Sequence, residues 1–270
     1  MEYVITDQIE RSDWLGSNCQ TFETTEYDDR CGVDLVLEWQ DEHGRPIHLA
    51  VDITTSESDK KILEKEEYIR DGLNLGKLTN VKYFGSPHNP NIKGSLREIP
   101  KVIIALDRDG VSRVCQDLLS KKPAEMADNP EQLLILEQIR QQMIDQIEYA
   151  LSRLFKEIES NISSLDEQAQ SELITLAQKS VNLKDHPEKL TDILETLGDQ
   201  EQLLRQINRY ADTNKYLEII HKHQVILQLS ESLIKEKSDL LEPQVVMQAA
   251  DLAKTNIVLK RTRSRLSGWH

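Results

Sequence analysis

Glycine divides this chain. Eight of the ten glycines lie at or before Gly110, and only Gly198 and Gly268 follow. Glycine supplies the tight turns between short elements. A chain that stops using it has stopped making such turns. Pro123 and Asn129-Pro130 mark the seam and set the boundary at 123–130. The spacing therefore predicts a mixed α/β domain over 1–124 and an all-α region over 129–270.

The first region alternates. A helix is predicted over about 8–25. Gly32-Val33-Asp34-Leu35-Val36-Leu37-Glu38-Trp39 is a β-rich run. Turn chemistry follows in Asp41-Glu42-His43-Gly44-Arg45-Pro46, and then a second β-rich run, Ile47–Thr54. Together, 33–54 read as a hairpin. Ser58 to Asn74 carries Ile62, Leu63, Tyr68, Ile69 and Leu73 at helical spacing. Val81–Phe84 is a short strand, and Gly85–Glu98, with two prolines, reads as a loop. Val102–Leu106 is a continuous apolar run suited to a buried strand. A helix over 111–121 ends the region.

The second region is predicted to be helical throughout. Asn129 can cap a helix opened by Pro130, with Glu131 in its first turn. Leu133, Leu136, Met143, Ile147, Ala150, Leu154 and Ile158 form its seam, interrupted by Arg140. Further helices are expected over about 165–183, 187–197, 199–210, 213–237 and 243–262. Such a bundle or helical hairpin suits self-assembly or the docking of a protein partner.

Composition excludes several classes. The 270 residues carry 33 basic and 47 acidic side chains, a formal charge of −14. That argues against a chain coating nucleic acid, while leaving room for a local basic groove. No run approaches the roughly 18 apolar residues of a membrane span. The start, Met1-Glu2-Tyr3-Val4-Ile5, lacks a signal-peptide pattern. Cys19, Cys31 and Cys115 form no CxxC pair. The expected setting is cytoplasmic, reducing and away from membranes.

The chemistry concentrates on the hairpin. Side chains alternate along a strand, so Asp34, Val36 and Glu38 share one face, as do Ala50, Asp52 and Thr54. An aspartate between Val51 and Ile53 needs a hydrogen bond, a counter-charge or a metal. Each acid alone has a structural explanation. Asp34 can cap a turn or pair with Arg30, and Asp52 can accept from Thr54, Thr55 or the following helix. As a pair on neighbouring strands, they suit Mg²⁺, which takes oxygen ligands and keeps several waters.

A helix, then Gly32-Val33-Asp34 on one strand, then Asp52 two residues before Thr54 on the next, resembles the PD-(D/E)xK superfamily. The later helix, strand and helix follow in its order. The resemblance covers roughly residues 8–122. It implies a restriction-endonuclease-like fold and Mg²⁺-dependent phosphodiester hydrolysis, with Mn²⁺ as a substitute. Asp34 and Asp52 would hold the metal. Glu23 or Glu26 would match the accessory acid. Thr54 stands where the family has lysine, and a threonine hydroxyl supplies no positive charge. Lys60 or Lys61, opening the next helix, would replace it.

Other signals are weaker. Lys93, Arg97 and Lys101 flank the Gly85–Glu98 loop and could meet a phosphate backbone. Lys260-Arg261-Thr262-Arg263-Ser264-Arg265 places four cations at a helix end, where they also favour the helix dipole. His221 and His223, two apart on a helix, do not share a face. Two functions follow: a metal-dependent nuclease acting on nucleic acid, or a degenerate nuclease fold serving as a scaffold through its C-terminal helices.

Overall fold

The structure, a computed structural model, describes residues 2–55, 58–120, 123–160, 189–199 and 213–265, with a few helical positions between 167 and 175. The elements up to residue 128 are α1 (Glu2–Arg11), β1 (Gln20–Glu23), α2 (Glu26–Arg30), β2 (Leu35–Gln40), β3 (Pro46–Thr54), α3 (Asp59–Asn74), β4 (Thr79–Gly85), β5 (Lys93–Ile99), β6 (Lys101–Ala105), α4 (Arg108–Ser120) and a 3₁₀ turn (Pro123–Asp128). Then come α5 (Glu131–Glu159), α6 (Lys189–Asp199), α7 (Thr213–Leu240), α8 (Pro243–Thr255) and α9 (Ile257–Arg265). The fold is mixed α/β, with the strands N-terminal and the helices mostly C-terminal. No described helix is long and apolar enough to cross a membrane.

A four-stranded sheet has the order β1-β2-β3-β6, and β4 and β5 form a separate two-stranded sheet. The predicted hairpin is β2–β3, antiparallel, with Leu35 opposite Val51 and Val36 opposite Ala50. β6 joins β3 in parallel, with Asp52 beside Ile103. Alternation sorts the two faces. Leu35, Leu37, Leu49, Val51, Ile53, Val102 and Ile104 enter the main core. On the other face, Val36 and Ala50 pack with Val81, Phe84 and Ile99, and Ile103 and Ala105 pack with Ile62 and Val258.

Three predicted elements differ. The helix expected over 8–25 ends at Arg11. Asp13 and Gly16 take positive φ of 50° and 87° and turn the chain. That turn buries Trp14 and Leu15, and the Trp14 indole donates to the Met126 carbonyl at 2.9 Å. Burial of a large ring with its N–H satisfied outweighs continuation of the helix. The expected loop 85–98 confines its prolines to the turn before Lys93, and the rest is β5, paired with β4. The helix expected over 243–262 breaks at Asn256, whose backbone is extended. Its amide donates to the Ala105 carbonyl and accepts from the Val258 and Leu259 N–H groups, so one side chain ends one helix, caps the next and ties both to β6. The helix predicted over 199–210 lies almost entirely outside the described residues.

One main core draws on both sides of the predicted boundary, combining sheet residues with Ile135, Met143, Ile147 and Leu151 of α5 and Ile219 and Leu227 of α7. α5 also closes the open edge of β6. Gln146 donates to the Lys101 carbonyl, and Gln138 accepts from the Ala105 N–H. Gln142 both accepts from the Ile103 N–H and donates to the Ile103 carbonyl, at 2.9 and 2.8 Å. The spacings match. Four helical residues rise about 6 Å, and two strand residues about 6.6 Å. A helix thus stands where a further strand would pair, which removes a sticky edge.

Candidate active site

The site begins with a cross-strand pair. The Asp34 N–H donates to the Val51 carbonyl at 2.9 Å. Continuing the β2–β3 register sets Asp34 opposite Asp52, on the face away from the main core. Like charges in this arrangement repel. The Asp34 carboxylate also accepts the Ile53 N–H. Its pKa is pushed up to about 7: burial is the main cause, opposed by the Ile53 hydrogen bond, and the Asp52 charge and a hydrogen bond to Asp29 add to the rise. Glu2, from α1, adds its charge.

Asp52 is 2% exposed and meets two ammonium groups. Lys65, from α3, is bonded to Oδ1. Lys101, from the start of β6, places Nζ 3.5 Å from Oδ2. Lys65 is one-third exposed, whereas Lys101 is almost fully buried. Burial pushes the Lys101 pKa down, opposed by the attraction of Asp52. The Tyr68 ring lies 5.4 Å from the Lys101 ammonium. Gly32 passes directly over the group. A Cβ built there would come 2.9 Å from Lys101 Nζ and 3.0 Å from Asp52 Oδ2, and φ is +76°. Only glycine satisfies both demands at no cost.

The other sequence candidates fall elsewhere. Thr54 pairs with Ala105 on β6 and is partly exposed. Lys60 is solvent-facing, 3.8 Å from Glu64. Lys61 is exposed one helical turn before Lys65. Glu26 is exposed and paired with Arg30, and Glu23 is exposed opposite Leu35. Lys93 and Arg97 lie exposed on β5. The residues gathered around Asp34 and Asp52 are therefore Asp29, Lys65 and Lys101, with Glu2 as the first-helix acid. One of them had a local signal: Lys101 opens an apolar strand, where a charge is out of place.

Two further buried acids on this side are satisfied by protein groups. Glu38 accepts from Ser86 Oγ at 2.6 Å and the His88 N–H at 3.3 Å, and His48 Nε2 is 2.8 Å away. Ser86 bonds the carboxylate, not the imidazole, so no serine–histidine relay forms. Asp28 accepts the backbone N–H groups of Lys82 and Tyr83 at 2.8 and 3.2 Å. Among the described residues, no group of three or more His, Cys, Asp or Glu is arranged to hold a metal. No family model, curated protein or solved structure matches the chain.

Proposed function

We propose that this protein hydrolyses phosphodiester bonds of nucleic acid with Mg²⁺, at Asp34 and Asp52. The observation that carries the reading is the convergence of two strand carboxylates with Lys65, a partly exposed amine, beside them. Lys65 takes the role expected of Lys60 or Lys61 and supplies the positive charge absent at Thr54. Mg²⁺ fits this donor set. Asp34 keeps its proton to about 7 because burial disfavours its charge and Asp52 adds to that, and a divalent cation would offset both. Asp34 and Asp52 would hold it, with water completing the shell. A metal held by Asp34 and Asp52 would supply an activated water and offset phosphate charge. Lys65 would orient that water or meet the charge developing on the phosphate oxygens.

The alternative is a degenerate fold acting as a scaffold. Lys101, itself buried, occupies Asp52 from within the sheet and leaves less need for a metal. In that reading the C-terminal helices hold a second copy or another protein, and the exposed Leu240 and Met247 are available for it.

Calorimetry with Mg²⁺ and Mn²⁺ on the intact chain and on Asp34→Asn separates the two, combined with incubation against single- and double-stranded DNA and RNA. Asp34→Asn keeps the shape and an acceptor for the Ile53 N–H. Metal binding and cleavage that both vanish in the variant support hydrolysis. Absence of both in the intact chain, with every substrate, supports the scaffold.

A further inference from the structure

Four tyrosines of the described residues are strongly exposed. They are Tyr3, Tyr27, Tyr68 and Tyr83. Tyr3 follows Glu2, whose charge acts on Asp34. Tyr68 borders Lys101. Tyr27 lies two residues before Asp29, which hydrogen-bonds Asp34. The Tyr27 and Tyr83 rings meet edge to face, with centroids 6.1 Å apart. Lys82 Nζ lies 4.6 Å from the Tyr27 centroid and 5.0 Å from that of Tyr83.

This arrangement is built by the backbone. The β4–β5 register shifts between Val81 and Phe84. Such a bulge re-aims side chains. Lys82 and Tyr83 are both exposed, between buried Val81 and Phe84. The buried Asp28 carboxylate then accepts both of their backbone N–H groups. Asp28 belongs to α2, which also carries Tyr27, so one acid fixes both halves of the patch. The surrounding charge is mixed in sign, with the Asp28 carboxylate beneath the patch. Glu26 is paired with Arg30, Lys93 and Arg97 are exposed on β5, and Asp29 and Glu98 are the acids nearby.

We propose that Tyr27, Lys82 and Tyr83 form a platform that stacks the bases of single-stranded nucleic acid and leads the strand past Tyr68 to Asp34 and Asp52. The destination rests on the hydrolytic reading above. Exposed aromatic rings with a cation beside them suit unpaired bases and a phosphate backbone. A duplex hides its base faces, so it gains only the charge term.

The test is fluorescence anisotropy on the full chain in EDTA, with labelled oligo-dT and oligo-U of about 12 nucleotides and a duplex of equal length. Single strands are expected to bind more tightly than the duplex, with the dT and U arms distinguishing DNA from RNA. Tyr27→Ala and Tyr83→Ala are each expected to weaken binding on the order of tenfold, and Tyr83→Phe to retain it, because stacking needs the ring. Lys82→Gln is expected to reduce the slope of log affinity against log salt by about 0.7. Circular dichroism confirms that these surface variants fold. No single-strand binding, equal binding of the duplex, or affinities unmoved by both alanine variants would overturn the platform. Cleavage is scored separately with Mg²⁺. Tyrosine-dependent binding without cleavage supports the platform and refutes hydrolysis, whereas cleavage without tyrosine dependence does the reverse.

Discussion

Lys101 places its ammonium 3.5 Å from the Asp52 carboxylate, with both side chains 3% exposed. The two residues come from parallel neighbours, β3 and β6, on the same face of the sheet. Lys65 reaches the other carboxylate oxygen from α3. Asp52 thus fastens α3 and β6 to β3.

Removing one side of such a pair leaves a buried charge. Asp52→Asn is expected to cost about 3–5 kcal/mol, because Lys101 loses its counter-charge in the sheet interior. Lys101→Met should cost less, because Asp52 retains Lys65. The double variant should be more stable than the two losses added together. Urea titrations of all four chains measure this, and strict additivity would refute the coupling.

Gly32→Ala is expected to destabilise by about 1–2 kcal/mol from its left-handed backbone alone. The new methyl also displaces Lys101 or Asp52, which lie 2.9 and 3.0 Å from it. The melting temperature should therefore fall further than the backbone loss alone, and on the hydrolytic proposal metal binding should fall with it. A Gly44→Ala control has positive φ but open space around it, so it should show only the backbone loss.

Gln142→Leu leaves the Ile103 N–H and carbonyl without their amide partner. Each buried group so orphaned costs about 1–3 kcal/mol. Amide hydrogen exchange should accelerate at Ile103 and change little at Val51, which lies within the sheet. Equal exchange in both chains would mean that the edge is closed by something other than the glutamine.

Two groups give opposite pH slopes. Asp34 has an ordinary value of 3.8 and about 7 when folded. Its folded form holds the proton more tightly, so its contribution to stability falls as pH rises from about 4 to about 7. His223 is buried between α7 and α5, 2.7 Å from the Ile219 carbonyl and 2.9 Å from Gln146. Burial drives it from 6.5 to about 4, so its contribution falls as pH drops through that window. The two partly cancel in the native chain. In EDTA, Asp34→Asn should lose stability on acidification more steeply than the native chain. Identical slopes would show that Asp34 titrates normally.

Much of the mixed sheet was legible. β-rich runs on either side of a turn marked β2 and β3, and a continuous apolar run marked β6. The first helix was overextended because Trp14 and Leu15 suit a helix as well as a buried turn, and only the contact with Met126 distinguishes the two. β5 was hidden because Lys93–Ile99 pairs on one edge and exposes most of its side chains, leaving no apolar pattern.

The sequence by itself determined that Asp34 shares a strand face with Val36 and Glu38, and Asp52 with Ala50 and Thr54, because strand periodicity is a local property of the backbone; the β2–β3 register then set both acids on one side of the sheet. The sequence also determined where strands give way to helices, because turns need particular residues. Only the tertiary structure decided which cations meet those acids. Lys65 and Lys101 look like any helix or strand lysine until the sheet and α3 bring them to Asp52. The glutamines of α5 are likewise ordinary polar residues in the sequence. They became partners of β6 because an open strand edge lies beside them, and pairing across such a distance leaves no periodic trace in either segment.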